Sequence, residues 1–375
     1  MREDTAVERD GVIIRTSIIG IIANIFLAAF KAVFGLLTHS IAIVLDAVNN
    51  LSDAGSSVIT IVGTKLAAKL PDRKHPFGYG RIEYMSAMLI SMIILYAGVT
   101  SLTESVKKII TPVTPDYSTA SLIVVGVAVV VKIILGRYVK SVGVKMNSDA
   151  LVNSGEDATL DSVISASTLA AAVIFILTGL SLEAWLGAVI SLVIIKSGIE
   201  MLKDTISKLL GESADAEFAK EIKKTVRSFK DVSGAYDLVL NDYGPDRFNG
   251  SIHIEIPDTY SANQIDELIR DIQNEVYRKH NVLLTAVGIY SLNTSNDSSA
   301  QMRNKIYRAA VAHEYVTQAH AFYVNEEKKN IRFDAVVSLD APDRKAVYNE
   351  LVADISKLYP DYTLQIAVDT DYTQI

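Results

Sequence analysis

The sequence predicts an α-helical membrane bundle of six transmembrane helices followed by an α+β ferredoxin-like domain that is duplicated. Three observations carry this. Half of the 375 residues are hydrophobic, and the apolar ones crowd the stretch before about residue 210. That stretch holds six runs, each near or above the ~20 residues needed to cross a bilayer. The pattern then changes to short polar helices and alternating strands, such as SIHIEI, and the order α-β-β-α-β occurs twice.

Composition narrows the function. The chain has no cysteine, so thiolate metal sites and disulfides are excluded. Its formal charge of -7 argues against nucleic acid and suits a protein that meets cations. The start, MREDTAVERDGV, carries both signs of charge and no cleavage site after a short apolar core. It is expected to be a tail, residues 1–11, and not a signal peptide.

The six helices are expected over Val12–Leu37, Ser40–Leu70, Ile82–Ile110, Thr119–Val142, Ala150–Leu177 and Leu182–Leu209. Asn24 and Lys31 interrupt the first. The short connections at Thr38-His39 and Thr178-Gly179-Leu180 require hairpins. The second loop region holds Lys65, Lys69, Arg73, Lys74 and Arg81, and the fourth Arg137, Lys140 and Lys145. The first and fifth loops have no Lys or Arg. Basic loops stay inside, so both termini and the soluble part are expected to be cytoplasmic.

Two helices carry unusual polar residues. SIAIVLDAVNNLSDA (40–54) contains Asp46, Asn49, Asn50 and Asp53 within an apolar run. SDALVNSGEDATLDSVIS contains Asp157 and Asp161. Asn49 and Asp53 are four apart, as are Asp157 and Asp161, so each pair stacks on one helix face. Carboxylates inside a membrane are expensive and face a bundle interior or an aqueous path. A membrane Asn alone is more often interhelical glue than a ligand. Two i,i+4 pairs on two helices, however, can bring four oxygens to one point, as a hard divalent cation requires. The set lacks imidazole. Zinc favours nitrogen and sulfur, whereas an all-oxygen set suits Mn2+, Mg2+ or Ca2+. Asp46, one turn before Asn49, is a loading or supporting residue, or a structural one. Asn50 points about 100° away from Asn49 and is assigned to packing. Glu156 faces away from its neighbour Asp157.

The paired motifs, the loop KHPFGYGRIE (Lys74 to Glu83) and the stretch YGPDRFNGSIHIEIP together resemble the cation diffusion facilitator family, over about residues 12–292. The resemblance implies a homodimeric exporter of divalent metal in the plasma membrane, driven by proton antiport, with a ferredoxin-like cytoplasmic domain. It places the transport quartet at Asn49, Asp53, Asp157 and Asp161, in the pattern of the bacterial manganese-exporting branch. No cofactor beyond the transported cation is implied. Asp72, His75 and Tyr79 fall where some zinc-exporting relatives carry a second metal site. Tyr79 is a poor ligand, so His75 and Phe77-Gly78-Tyr79-Gly80 are expected to shape the turn. In the soluble domain, His253 keeps one position of a relative's metal cluster. The others align with Asp266, Val287 and Ile289, so a dedicated cluster is not expected there.

The soluble part divides into 211–295 and 296–375, after a membrane domain of 12–210. The first module is expected as a helix over Ala216–Phe229, strands near Ser233–Leu240 and at SIHIEI, a helix over Ala262–Lys279 and a strand over Leu283–Tyr290. The second repeats that order, with a helix over Ala300–Glu314 and strands over Gln318–Val324, Ile331–Leu339 and Thr363–Val368. RFNGSIHIEIPD (247–258) aligns with RFDAVVSLDAPD (332–343) at an offset of 85 residues. The resemblance does not reach the second copy.

The reading is therefore a Mn2+/H+ antiporter and not an enzyme. Alternatives are a Zn2+ or Fe2+ exporter of the same family, or a membrane metal sensor. An intramembrane aspartyl protease fails because no Gly-x-Gly-Asp occurs on any helix.

Overall fold

The computed structural model describes residues 2–37, 41–111, 119–178, 182–245, 247–295 and 297–370. The chain forms two compact units. One comprises Met1–Glu212 with Tyr243–Asp246, the other Ser213–Asp242 with Arg247–Ile375.

The first unit contains six long helices: α1 (Arg2–Leu37), α2 (Ile41–Ala67), α3 (Ile82–Ile110), α4 (Thr119–Lys145), α5 (Asp149–Thr178) and α6 (Glu183–Leu210). Among the described residues, five stretches are long and apolar enough to cross a membrane, on every one of these helices except α2. Part of α2 lies outside the described side chains. Helix α1 begins at Arg2, ten residues before the expected Val12. Propagating a helix adds a hydrogen bond per residue, whereas starting a new one is unfavourable.

The helices pair as α1 with α2, α3 with α6, and α4 with α5. Glycine sets the last contact. A Cβ on Gly155 would lie 2.5 Å from the Lys140 amide nitrogen, and one on Gly136 would lie 2.9 Å from the Gly155 carbonyl oxygen. The backbones of α4 and α5 therefore approach closely, as small residues permit between membrane helices. Asn153 ties α5 to α3, donating to Ala87 O at 3.1 Å and Ser91 Oγ at 2.9 Å.

The second unit begins with α7 (Ala216–Arg227), capped by the Asp215 carboxylate, which accepts from the amides of Glu217 and Phe218. Next come β1 (Gly234–Asp242), β2 (Phe248–Pro257), α8 (Ala262–His280) and β3 (Val282–Leu292). The sheet order is β1-β2-β3, antiparallel then parallel. Ile252, Ile254 and Ile256 of β2 are buried with Ile222 and Val226 of α7 and Ile272 and Val276 of α8. Burial of such side chains stabilises by about 1.5–3 kcal/mol each.

The same order then follows in α9 (Ser298–Ala310), β4 (Val316–Asn325), β5 (Asn330–Val337), α10 (Arg344–Leu358) and β6 (Thr363–Asp369). Its sheet runs β4-β5-β6, again antiparallel then parallel. Helix α9 ends four residues before the expected Glu314, in a turn.

The offset of 85 is corrected by strand pairing. Tyr236 faces His253 across β1 and β2, and His320 faces Asp334 across β4 and β5. The buried set Ile252, Ile254, Ile256 thus corresponds to Phe333, Ala335, Val337, four residues earlier than the alignment by eye. A shift of four keeps every side chain on its face, so alternation alone does not reveal it.

Candidate functional site

Helix α2 presents Asp53 and helix α5 presents Asp161. Between them stands a residue that sequence reading missed. Lys132 of α4 places its Nζ 2.7 Å from Asp53 Oδ2 and 2.5 Å from Asp161 Oδ2. Its side chain is only 5% exposed, against 16% for Asp53 and 29% for Asp161. Asp157 lies one turn before Asp161 and feels the charges of Asp161, Asp53 and Lys132. Lys31 of α1, also buried, adds positive potential at Asp53.

A lone lysine within VAVVVKIILG is the signal that would have found Lys132. An ionisable residue deep in an apolar helix is a functional-site hypothesis with a partner to be named. The ammonium bridges one carboxylate from α2 and one from α5. The oxygens of Asp53 and Asp161 are shared with it, and the charge of each is met at hydrogen-bonding distance.

The side chains of Asp46 and Asn49 lie outside the described ones. Asn50 is fully buried, and among the described residues neither its Oδ1 nor its Nδ2 has a hydrogen-bond partner. Glu156 pairs with Lys140 of α4 and not with the carboxylates around Lys132.

The loop before α3 is organised by Asp72. Its carboxylate accepts from the amides of Lys74 (2.9 Å) and His75 (2.7 Å) and from the Tyr79 hydroxyl (2.6 Å). These bonds, the Tyr79 hydroxyl first, hold the Asp72 carboxyl well below the usual range. His75 packs its ring against Tyr79 at 4.4 Å. Asp72 thereby serves the turn, an Asx-type arrangement.

Val287 is buried in the core and Ile289 packs against it, as their types require. Asp266 is an exposed residue of α8 paired with Arg270. Asp237, His320 and Asp369 place one ligand atom each within 4.8 Å of one another. Among the described residues, this is the group of metal-ligating side chains gathered that tightly. His253 lies beside it, its Nδ1 3.0 Å from Asp237 Oδ2. The aligned positions missed the cluster because two of its members come from the second α-β-β-α-β half, and the facing residues of β3 are Gly288 and Tyr290, not Val287 and Ile289.

Several known proteins are similar to this chain. A relative from Methanocaldococcus jannaschii, an uncharacterized transporter, is 28% identical over 276 residues, covering 71% of this chain and 93% of its own length. The manganese efflux system protein MneP of Bacillus subtilis is 26% identical over 282 residues, covering 73% of this chain and 94% of its own. The magnetosome protein MamB of Paramagnetospirillum magneticum is 26% identical over 268 residues, covering 70% and 90%. The cation efflux transmembrane domain matches residues 17–210, the stretch that holds Asp53, Lys132, Asp157 and Asp161. The match takes in more than half of the chain, which therefore belongs to the cation efflux family of membrane transporters and is not an enzyme.

Proposed function

We propose that this chain exports Mn2+ in exchange for protons, through a site made of Asn49 and Asp53 on α2 and Asp157 and Asp161 on α5. The observation that carries the reading is Lys132, whose ammonium sits between Asp53 and Asp161. A point that holds a tethered cation between carboxylates from two helices has the charge and reach to hold a free one.

The proposed cycle uses Lys132 as an internal substitute for the cargo. Without metal, its ammonium balances the two carboxylates and keeps the site from collapsing or drawing in water. A divalent ion competes for the same oxygens, and like charges at this distance repel strongly in a low-dielectric interior. Metal and ammonium therefore exclude one another. As the ion leaves on the far side, Lys132 returns and resets the site. Because the ammonium already keeps Asp53 and Asp161 ionised, the exchanged proton is one that Asp157 gives up when it binds the ion, which couples export to an inward proton gradient.

The oxygen-only ligand set favours Mn2+ over zinc, and two Bacillus subtilis relatives bear the name manganese efflux system protein. The remaining parts of the reading are six spans including α2, termini and second unit on the cytoplasmic side of the plasma membrane, and a homodimer with duplicated ferredoxin-like modules. Flux into vesicles of the purified protein tests the core of it. Mn2+ uptake should exceed Zn2+ uptake and should respond to an imposed pH gradient. Metal binding without flux would identify a sensor instead, and flux indifferent to the pH gradient would remove the antiport step.

A further inference from the structure

We propose that Asp237, His320 and Asp369 form a second metal site, which takes a divalent first-row transition-metal ion and clamps the second sheet of this unit to the first. It lies wholly in the second unit and stands independently of the transport reading.

The two sheets present equivalent positions to each other. Tyr236 pairs with His253, which pairs with Gly288, and Tyr290 follows two residues on. In the second sheet, His320 pairs with Asp334, which pairs with Ala367, and Asp369 follows two residues on. Tyr236 thus corresponds to His320, and Tyr290 to Asp369. Where the first half carries tyrosines, the second carries metal ligands.

Both sheets also break their ladder at this level. The β1–β2 register shifts between Tyr236 and Val239, and the β4–β5 register shifts between His320 and Tyr323. Asp237 (φ 51°) and Ala321 (φ 57°) adopt left-handed backbone conformations that non-glycine residues avoid. A bulge re-aims a side chain, and this one brings Asp237 to the other sheet. Its Oδ1 lies 3.0 Å from His320 Nε2, which is 3.8 Å from Asp369 Oδ2.

The decisive feature is His320. Its side chain is 0% exposed; among the described residues its Nδ1 has no hydrogen-bond partner, and its Nε2 meets only the carboxylates of Asp237 and Asp369, at 3.0 and 3.8 Å. Buried polar groups left so are costly and call for an explanation such as an ion. An ion about 2.1 Å from each of two atoms 3.0 Å apart sees them at roughly 90°, the cis angle of octahedral coordination. Imidazole with carboxylates suits Mn2+, Fe2+, Ni2+ or Zn2+ better than Mg2+ or Ca2+.

The surroundings are those of a supported site. The Tyr290 hydroxyl donates to Asp237 Oδ2 at 2.6 Å, which leaves Oδ1 directed at His320. Tyr236 stacks flat on the His320 ring, centroids 4.6 Å apart and planes within 5°. Tyr290 and Ala321 also line a cavity of about 330 Å³.

Pulsed electron paramagnetic resonance of Mn2+ bound to the full-length protein tests this, because the membrane quartet contains no imidazole. Wild type should show imidazole 14N coupling at saturating Mn2+, and Zn2+ but not Mg2+ should displace that signal. His320→Gln should abolish it. Because His320 is buried, Asp369→Asn provides a milder variant, and its affinity in equilibrium dialysis should fall about tenfold or more. Absence of the coupling in wild type, its persistence in folded His320→Gln, or unchanged affinity in Asp369→Asn would each overturn the site.

Discussion

Lys132 Nζ lies 2.7 Å from Asp53 Oδ2, so a lysine of α4 occupies the point where a carboxylate of α2 meets one of α5. Removing one partner of a buried ion pair leaves an uncompensated charge, at about 3–5 kcal/mol. Lys132→Gln is therefore expected to lower the melting temperature and to slow Mn2+ flux severely. Added Mn2+ should restore stability, raising the melting temperature of the variant more than that of wild type. Equal metal-induced shifts would show that ion and ammonium do not share a place.

Asp157 makes the cleaner test of the quartet, since Lys132 keeps both its carboxylate partners when Asp157 is replaced. Asp157→Ala should abolish transport in vesicles while leaving a folded protein by size-exclusion chromatography. Full flux would remove Asp157 from the transport site.

Selectivity should follow ligand chemistry. Asn49→His combined with Asp157→His introduces two imidazoles and should move the ratio of Mn2+ to Zn2+ uptake toward zinc. A ratio equal to that of wild type would place selectivity elsewhere in the pathway.

The seat of Lys132 depends on how closely α4 packs on α5. A methyl group on Gly155 would press on the Lys140 backbone at 2.5 Å. Gly155→Ala is expected to cost about 1–3 kcal/mol and to reduce flux by spreading Lys132 from Asp161. Thermal melts and vesicle flux read the two effects, and unchanged values of both would show that the helices yield freely here.

Truncation after Asn293 removes α9 to β6 and with them His320 and Asp369. Transport should largely survive, because the proposed quartet lies on α2 and α5, while thermal stability should fall. Loss of flux in a folded truncated protein would assign the second half an obligatory part in transport.

Local pattern alone determined a good deal. Apolar runs marked the helices of the first unit, and α3 was legible to its ends, Ile82–Ile110. The i,i+4 spacing of Asp157 and Asp161 placed them on one face, and alternation marked the strands of both halves. These are properties of neighbouring residues, set by 3.6-residue and two-residue periods. Tertiary structure decided the partners. Nothing within VAVVVKIILG says which helix its lysine will meet; the close approach at Gly136 and Gly155 brings α4 onto α5 and so Lys132 to Asp161. Likewise His320 and Asp369 are separated by most of the second half and stand far in sequence from Asp237. Only strand pairing, two bulges and the contact of the two sheets bring them together. Periodicity reports the face a residue occupies, whereas convergence of distant charges depends on long-range packing, which no local window contains.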